Sequence, residues 1–353
     1  MKGYKINGIQ QVGVGTLDFG KSKDWFIKHF GFDVKILEDD TVAERMLPYT
    51  GGKAQRRHAG IMVNLNGGGG LEIWQYSERK PLSRSEQVRI ADTGIFAAKI
   101  RCRDISEARK SLQDVKKTPI GRTPDGTPTF WAEDLYGNIF QVVEDEYVFI
   151  PQKTAIGGVC GALVGVTDMD RSVKFYRDVL GYDKTEYDVS GAFEDWAAVP
   201  GGKRKVRRVL LSSSQKPRSA FSPLFGDNKI ELVHPLEIKA DKIYEGRFWG
   251  DPGFIQICYD VTGMDSLKQF CESKGAPFTV DSCPGGEIFD MGDASGRFTY
   301  IEDPDGTLIE FVETYKVPLA KKLGLNIDMS RRDPSKPLPS VLFKIMGIVS
   351  RQK

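Results

Sequence analysis

The sequence predicts an α+β protein that is built from four βαβββ modules, paired as two domains. Two internal repeats and the polar linkers between the modules support this prediction. In the first repeat, Gln11–Phe32 aligns without a gap with Gly161–Tyr182. In the second, Glu133–Glu144 aligns without a gap with Glu302–Glu313. Repeats of this kind indicate that one supersecondary unit recurs along the chain.

The first and third modules open with the same strand and helix. A short apolar strand leads to Asp18 in one copy and to Asp168 in the other, and each aspartate is expected to cap the helix that follows. Apolar residues then recur at helical spacing. Both helices are expected to stop at a glycine, Gly31 in the first copy and Gly181 in the second.

A hairpin with two adjacent arginines follows each of these helices. The pairs are Arg56-Arg57 and Arg207-Arg208. Because side chains alternate along a strand, one arginine of each pair should face inward and the other should face out. The pairs could bind an anion, since arginine grips a carboxylate or phosphate with two parallel hydrogen bonds. The default alternative is that they are solvated hairpin charge.

The second and fourth modules show a strand, a helix and a closing hairpin. The predicted elements are Phe96–Cys102, Asp104–Val115, Thr129–Asp134 and Ile139–Glu144 in the second module, and Phe254–Val261, Met264–Gly275, Phe298–Asp303 and Thr307–Val312 in the fourth. A turn at Pro304-Asp305-Gly306 precedes the last of these strands.

The closing strand of every module holds one oxygen-bearing side chain among apolar residues. These are Glu72, Gln141, Glu231 and Glu310. A carboxylate in such a strand is costly to bury unless it finds a partner. For Glu310 that partner could be a metal cation, an arginine or a substrate; alternatively, Glu310 faces solvent on an edge strand.

Polar linkers divide the chain into consecutive parts. The expected parts are an N-terminal domain at residues 1–150 with modules 7–76 and 94–146, a C-terminal domain at residues 151–315 with modules 157–235 and 252–314, and a basic tail at residues 316–353. The apolar segment Val341–Val349 of this tail is expected to pack as a helix or strand over a barrel end.

The composition is typical of a soluble globular protein. Of 353 residues, 40% are hydrophobic and 28% are charged. The net charge of +2 gives no indication of a nucleic-acid partner, and the sequence has no apolar run of about 20 residues that would span a membrane. The start of the sequence lacks the apolar core of a signal peptide, and the five cysteines show no metal-binding spacing. A cytoplasmic protein with free thiols is expected.

Two junctions carry a resemblance to a known family. They are Val166–Ser172 followed by Phe175–Tyr182, and Asp303–Gly306 followed by Glu310. With the four modules, they resemble the vicinal oxygen chelate superfamily, which includes glyoxalase I, methylmalonyl-CoA epimerase, bleomycin-resistance proteins and extradiol dioxygenases. The resemblance implies that the modules pair into two half-open, cup-shaped barrel domains. It also implies that side chains from the first and last strand of each module bind a divalent metal ion.

Carried over position by position, the resemblance implies two sets of ligands. The C-terminal domain offers Glu231, Gln256 and Glu310 as metal ligands, with Glu231 or Glu310 doubling as the catalytic base, and the N-terminal domain offers a weaker set of Gln11, Glu72 and Gln141. The usual first-strand histidines are absent, and Gly161 and Ala97 at equivalent positions cannot ligate through a side chain.

The ligand types constrain the chemistry that the resemblance implies. An oxygen-rich set suits Mg, Mn, Ca or Zn rather than the histidine-bound iron of extradiol dioxygenases. Such a metal would polarise a carbonyl while a glutamate moved a proton. Arg207, Arg208 and Tyr300 are the expected contacts to the substrate.

Three functions fit these observations. The first is a divalent-metal-dependent lyase or isomerase of the glyoxalase type, acting on a small carbonyl or carboxylate substrate in the C-terminal domain. The second is a metal-free small-molecule binding protein of the bleomycin-resistance type, which the missing histidines favour. The third is a structural or interaction protein whose cups are filled by side chains. In each case a monomer or homodimer without nucleic-acid or membrane partners is expected.

Overall fold

A computed structural model describes residues 3–216, 218–285, 288–290, 295–320 and 325–352 of the chain. The strands are β1 (Lys5–Gly15), β2 (Val34–Val42), β3 (Arg56–Val63), β4 (Gly70–Tyr76), β5 (Gly94–Cys102), β6 (Gly121–Arg122), β7 (Pro128–Glu133), β8 (Ile139–Glu144), β9 (Ile156–Gly165), β10 (Lys184–Gly191), β11 (Val206–Ser212), β12 (Lys229–Pro235), β13 (Gly253–Thr262), β14 (Val280–Asp281), β15 (Phe289–Asp290), β16 (Ser295–Glu302), β17 (Leu308–Ala320) and β18 (Leu325–Asp328). The helices are α1 (Phe19–Phe30), α2 (Ile105–Ser111), α3 (Met169–Asp178), α4 (Ser222–Phe225), α5 (Met264–Ser273) and α6 (Ser340–Val349), with short 3₁₀ turns at Leu47–Tyr49 and Glu194–Trp196.

The strands form two sheets, each from two βαβββ modules. The terminal sheet joins the first and fourth modules in the order β14-β16-β17-β13-β1-β4-β3-β2, with β15 paired to β16 and β18 paired to β17. The middle sheet joins the second and third modules in the order β10-β11-β12-β9-β5-β8-β7-β6. The expected α+β fold of four modules in two half-barrel sheets is therefore confirmed.

The pairing of the modules corrects the expected division into residues 1–150 and 151–315. That division pairs consecutive modules, whereas β1 pairs antiparallel with β13 and β5 pairs antiparallel with β9. In the terminal sheet Gln11 lies opposite Cys258, so the two ends of the chain share one sheet. The repeats could not reveal this, because all four modules open with a similar apolar strand and any two of these strands could pair.

The predicted helix caps of the first and third modules are confirmed. The Asp18 side chain accepts a hydrogen bond from the backbone N–H of Lys21, and Asp168 does the same for Arg171. Gly31 follows α1 with φ of 68°, a left-handed conformation that favours glycine. These caps fix where each helix leaves its opening strand.

One apolar core connects the two sheets. Phe140 of the middle sheet lies at its centre, with ring centroids 5.7 Å from Phe26 and 5.1 Å from Phe30 on α1. The same ring lies 5.2 Å from Phe254 of the terminal sheet. Because all four rings belong to one buried cluster, the two sheets are packed as a unit.

Two segments outside the module repeat build a separate apolar cluster. The connection between β11 and β12 occupies residues 213–228 and contains α4, whereas the corresponding connection in the first module occupies only residues 64–69. The other segment is the C-terminal tail, where α6 packs against β17. Leu224 of α4 and Phe343 of α6 are buried in this cluster with Val63 and Val317. The predicted packing of Val341–Val349 against the fold is thus confirmed.

The concave face of the middle sheet is filled by buried charged side chains. The Arg208 guanidinium lies 2.7 Å from Glu231 and 2.8 Å from Asp195, and it stacks 3.7 Å above the Trp196 ring. The Lys99 ammonium donates to Glu231 at 2.7 Å. Because Arg208 and Lys99 oppose the effect of burial, they hold the pKa of Glu231 at about 2. In the cup of the middle sheet, the cations that balance Glu231 are therefore the side chains of Lys99 and Arg208.

Replacing Glu231 with Gln is expected to lower the free energy of unfolding by about 3–5 kcal/mol, because it leaves two buried cations without their shared carboxylate. Urea unfolding at neutral pH measures the loss. Glu237→Gln is the matched control, because Glu237 forms an exposed ion pair with Lys205, and its loss should be much smaller than that of Glu231→Gln. Equal losses in the two variants would contradict the assignment.

Candidate functional site

The terminal sheet brings four oxygen-bearing side chains together on its concave face. They are Gln11 of β1, Glu72 of β4, Gln256 of β13 and Glu310 of β17. These four strands are consecutive in the sheet, in the order β17-β13-β1-β4. Neighbouring strands lie about 4.8 Å apart, so residues that face the same way on them come within reach of each other in a curled sheet.

Gln256 connects the two acids. Its amide nitrogen donates to Glu72 at 2.8 Å and to Glu310 at 3.4 Å. Gly13 of β1 leaves room for this amide, because a Cβ at Gly13 would lie 2.5 Å from the Gln256 oxygen. A side chain at this position would displace the Gln256 amide from its place between the acids.

Two amide oxygens of the set have no hydrogen-bond partner among the described residues. They are Oε1 of Gln11 and Oε1 of Gln256, and both side chains are almost fully buried. An unpaired buried oxygen of this kind is costly in free energy. A bound ion or water is a recognised partner for such atoms.

The two carboxyl groups are held away from their ordinary titration range. Burial raises the pKa of Glu72, and the Arg57 guanidinium only partly offsets this effect. Burial also raises the pKa of Glu310, and the nearby Glu72 charge raises it further. Two neighbouring acids with little exposure to water resist being ionised together, so the pair favours a bound proton or a bound cation.

A cavity of about 530 Å³ opens onto this group. Its lining includes Gln11, Glu72 and Glu310, together with Trp74 and Tyr300. Tyr300 is buried, lies opposite Glu310 in the β16–β17 ladder, and is within hydrogen-bonding reach of its carboxylate. The group is thus accessible to a small molecule while its walls remain largely apolar.

An arginine stands near the acids in the same cavity. The Arg57 side chain donates to Asp39 at 2.7 Å and lies 5.0 Å from the Trp74 ring centroid. Its neighbour Arg56 faces outward and pairs with Asp40 in an exposed ion pair. The predicted alternation of the arginine pair is confirmed here, and it is also confirmed for exposed Arg207 and buried Arg208.

The structure regroups the predicted metal ligands. The set Glu231, Gln256 and Glu310 is wrong as a set, because Glu231 lies in the middle sheet and the other two lie in the terminal sheet. The weaker set is split in the same way: Gln11 and Glu72 join Gln256 and Glu310, while Gln141 accepts a hydrogen bond from Lys99 in the middle sheet. Glu310 is buried on the interior strand β17, so its alternative placement on an exposed edge is excluded.

The predicted substrate contacts are also divided. Tyr300 lines the cavity as expected. Arg208 lies instead in the buried network with Glu231, and Arg207 pairs with Asp188 and Asp170 on the surface. Arg57, rather than either of these, lines the cavity close to the acids. Its position in the first module matches that of Arg208 in the third, so the internal repeat could have identified Arg57 as a candidate from the sequence.

Cys258 is a buried neighbour of the acids. It follows Gln256 on the same face of β13 and lies close enough to Glu310 to hydrogen-bond to it. Among the described residues, no group of three or more His, Cys, Asp or Glu side chains is arranged to hold a metal ion. The terminal-sheet set differs from such a group because two of its four donors are amides.

No helix in the described part of the chain is long and apolar enough to cross a membrane.

Comparison with known proteins shows several relatives of the chain. The family model described as Glyoxalase/Bleomycin resistance protein/Dioxygenase superfamily matches residues 159–311. A lactoylglutathione lyase of Haemophilus influenzae is 26% identical over 159 residues, which cover 43% of this chain and 88% of that protein. A lactoylglutathione lyase of Schizosaccharomyces pombe is 26% identical over 192 residues, which cover 51% of this chain and 56% of that protein. The chain thus spans little more than half the length of the second relative.

Solved structures with the same architecture cover most of the chain. Glyoxalase I from Zea mays aligns over 88% of this chain and 93% of its own, with a TM-score of 0.54 and 13% identity. A putative dioxygenase from Bacillus subtilis aligns over 88% of this chain and 86% of its own, with a TM-score of 0.56 and 16% identity. At these identities the likeness concerns the fold alone. The family model matched at residues 159–311, the curated relatives and the four-module architecture together support a relationship to the vicinal oxygen chelate superfamily.

Proposed function

We propose that the terminal-sheet cup binds a divalent metal ion and that the chain is a lyase or isomerase of the glyoxalase type acting on a small carbonyl or carboxylate substrate. The observation that carries this proposal is the convergence of Gln11, Glu72, Gln256 and Glu310 in one group that has two unpaired amide oxygens and opens onto the cavity. The relatives named lactoylglutathione lyase support the reaction class.

The residues of the cup fit a divalent ion in charge and in donor type. Two carboxylates balance a charge of +2, and oxygen donors suit Mg, Mn, Ca or Zn. Gln11 already has its Oε1 unpaired. Rotation of the Gln256 amide by a half-turn would present its unpaired Oε1 to the acids in place of the nitrogen that now bridges them, because the two amide atoms are nearly alike in size.

The chain's own residues define the remaining chemistry. A bound divalent metal supplies Lewis acidity that polarises a substrate carbonyl. Glu310 lines the cavity and is suited to accept a proton from the carbon beside that carbonyl and to return it. Tyr300 orients the Glu310 carboxylate, and the apolar walls formed with Trp74 limit the access of water. Glu231 has no part in this proposal, because Lys99 and Arg208 hold it in the other sheet.

Removing either carboxylate of the cup is expected to weaken the binding of Mn²⁺. Glu72→Gln and Glu310→Gln should each lower the affinity on the order of 100-fold, because each removes a negative donor from the set. Titration calorimetry with chelator-stripped protein measures the affinity. Glu237→Gln, an exposed position outside the cup, is the control and should bind as the unaltered chain does.

A chain that binds no Mn²⁺, or variants that bind it as the control does, would contradict the metal proposal. The alternative is a metal-free small-molecule binding protein of the bleomycin-resistance type, which the absence of histidine from the four positions favours. That alternative predicts that ligands raise the melting temperature equally with and without EDTA.

The metal-free protein is expected to lose stability as the pH rises from about 4.5 to neutral. Glu72 and Glu310 have raised pKa values in the folded state and the ordinary carboxyl value of 4.5 when unfolded. In that range the folded state holds more protons than the unfolded state, so the free energy of unfolding falls with increasing pH. Melting curves in EDTA across this range, compared between the unaltered chain and Glu310→Gln, measure the effect.

Glu310→Gln should show a flatter decline than the unaltered chain, because it removes one titrating group. Saturating Mn²⁺ should reverse the trend in the unaltered chain, because the ion binds the ionised carboxylates. Parallel pH profiles for the two proteins in EDTA would show that Glu310 does not titrate as described.

A further inference from the structure

The cavity extends well beyond the four oxygen donors. Along β17 its lining includes Glu310, Val312, Thr314 and Lys316, which are alternate residues on one face of the strand. At about 3.3 Å per residue, this line runs for about 20 Å. The opposite wall continues along β3 from Ile61 to Val63. The space is therefore elongated, with the acids at one part of its length.

The end of the cavity distant from Glu310 is apolar. Its wall includes Leu224 and Phe225 from the segment with α4, and Phe343 and Met346 from α6. All four side chains are buried, and they belong to the same cluster as Val63 and Val317. We call this part of the cavity, defined by Val63, Leu224, Phe225, Val317, Phe343 and Met346, the apolar arm.

The apolar arm is built by segments that the module repeat does not supply. One is the long connection at residues 213–228, which reaches from the middle sheet to the cup of the terminal sheet. The other is the C-terminal tail that carries α6. A cup made of two βαβββ modules alone would lack both walls. These additions change the shape and polarity of the cavity without changing the four oxygen donors.

Arg57 and Arg297, two arginines of the cavity lining, are already paired with acids, whereas a third, Arg45, is exposed. Arg57 pairs with Asp39, and Arg297 pairs with Asp265 and Asp281. A substrate with several carboxylates would therefore have to compete for these guanidinium groups. A tail without charge needs no such partner and gains from contact with the apolar wall.

We infer that the substrate of this cup joins a small carbonyl or hydroxycarboxylate head, held at the acids, to an extended aliphatic chain that lies in the apolar arm between α4 and α6. This inference rests on the function proposed above for the head. The cavity volume of about 530 Å³ lies within the range of pockets that hold ligands of many atoms. A head of a few carbons alone would leave the apolar arm unfilled.

A series of straight-chain hydroxamates tests the inference, because their heads chelate metals and only their tails vary. Acetohydroxamate, butyrohydroxamate, hexanohydroxamate and octanohydroxamate are titrated into the full chain, once loaded with Mn²⁺ and once in EDTA. The affinity is expected to rise about threefold to fourfold for each added methylene until the arm is full. The same dependence on tail length, at lower absolute affinity, is expected in EDTA.

Substitution on α6 locates the tail. Met346→Trp should fill the arm and lower the affinity for octanohydroxamate at least tenfold while leaving acetohydroxamate unchanged, because the head binds elsewhere. Ile348→Trp is the matched control on the same helix, since Ile348 is 83% exposed and does not line the cavity. Melting curves check that both variants fold, and Leu224→Trp on the opposite wall replaces Met346→Trp if the latter does not fold.

The outcomes separate this inference from the proposed function. Affinity that does not depend on tail length, or equal loss in Met346→Trp and Ile348→Trp, would overturn the apolar arm as the tail site. Affinity that depends on tail length but gains nothing from Mn²⁺ would support the arm and contradict the metal. Affinity that gains from Mn²⁺ equally for all tails, with no effect of length, would support the metal and overturn the arm.

Discussion

The antiparallel pairing of β1 with β13 is the contact on which the site depends. It joins the first module to the fourth along backbone hydrogen bonds, with Gln11 opposite Cys258. Two parallel pairings flank it, β1 with β4 and β13 with β17, so that four donor-bearing strands become neighbours. Each module alone carries one amide and one acid of the group. Without this central ladder, neither half has more than two of the four donors.

The two sheets show two ways to neutralise acids in a cup of the same design. In the middle sheet, Glu231 forms buried ion pairs with the Lys99 ammonium and the Arg208 guanidinium. In the terminal sheet, Glu72 and Glu310 share an amide donor and open onto a cavity. The first cup supplies its own cations from the polypeptide. The second leaves its charge to be balanced from outside, which is why the proposed activity is assigned to it alone.

Much of the architecture could be predicted from the sequence. The module count, the Asp18 and Asp168 caps and the inward-outward alternation of the arginine pairs follow from local rules of backbone and side-chain geometry, and the structure confirms them. The pairing of modules does not follow from such rules. It is decided by long-range packing between strands that look alike in sequence, so Gln256 and Glu310 were grouped with Glu231 instead of Glu72. Lys99 was overlooked, although a lysine in the apolar run of β5 has to find a buried acid.

The joining of the first and fourth modules has a consequence for the order of assembly during synthesis. The middle sheet joins the second and third modules, which are adjacent in the chain, so it can form during translation. In contrast, β1 cannot pair with β13 until the fourth module has been synthesised. Loop closure over so long a span is entropically slow. In a nascent or truncated polypeptide, the middle sheet would therefore be complete, with its buried ion pairs formed. Strand β1 would be exposed, because β13 would not yet be present to pair with it. When the fourth module folds, β13 covers the edge of β1 and the cup of the terminal sheet forms. The four oxygen donors therefore come together in a single late step of folding.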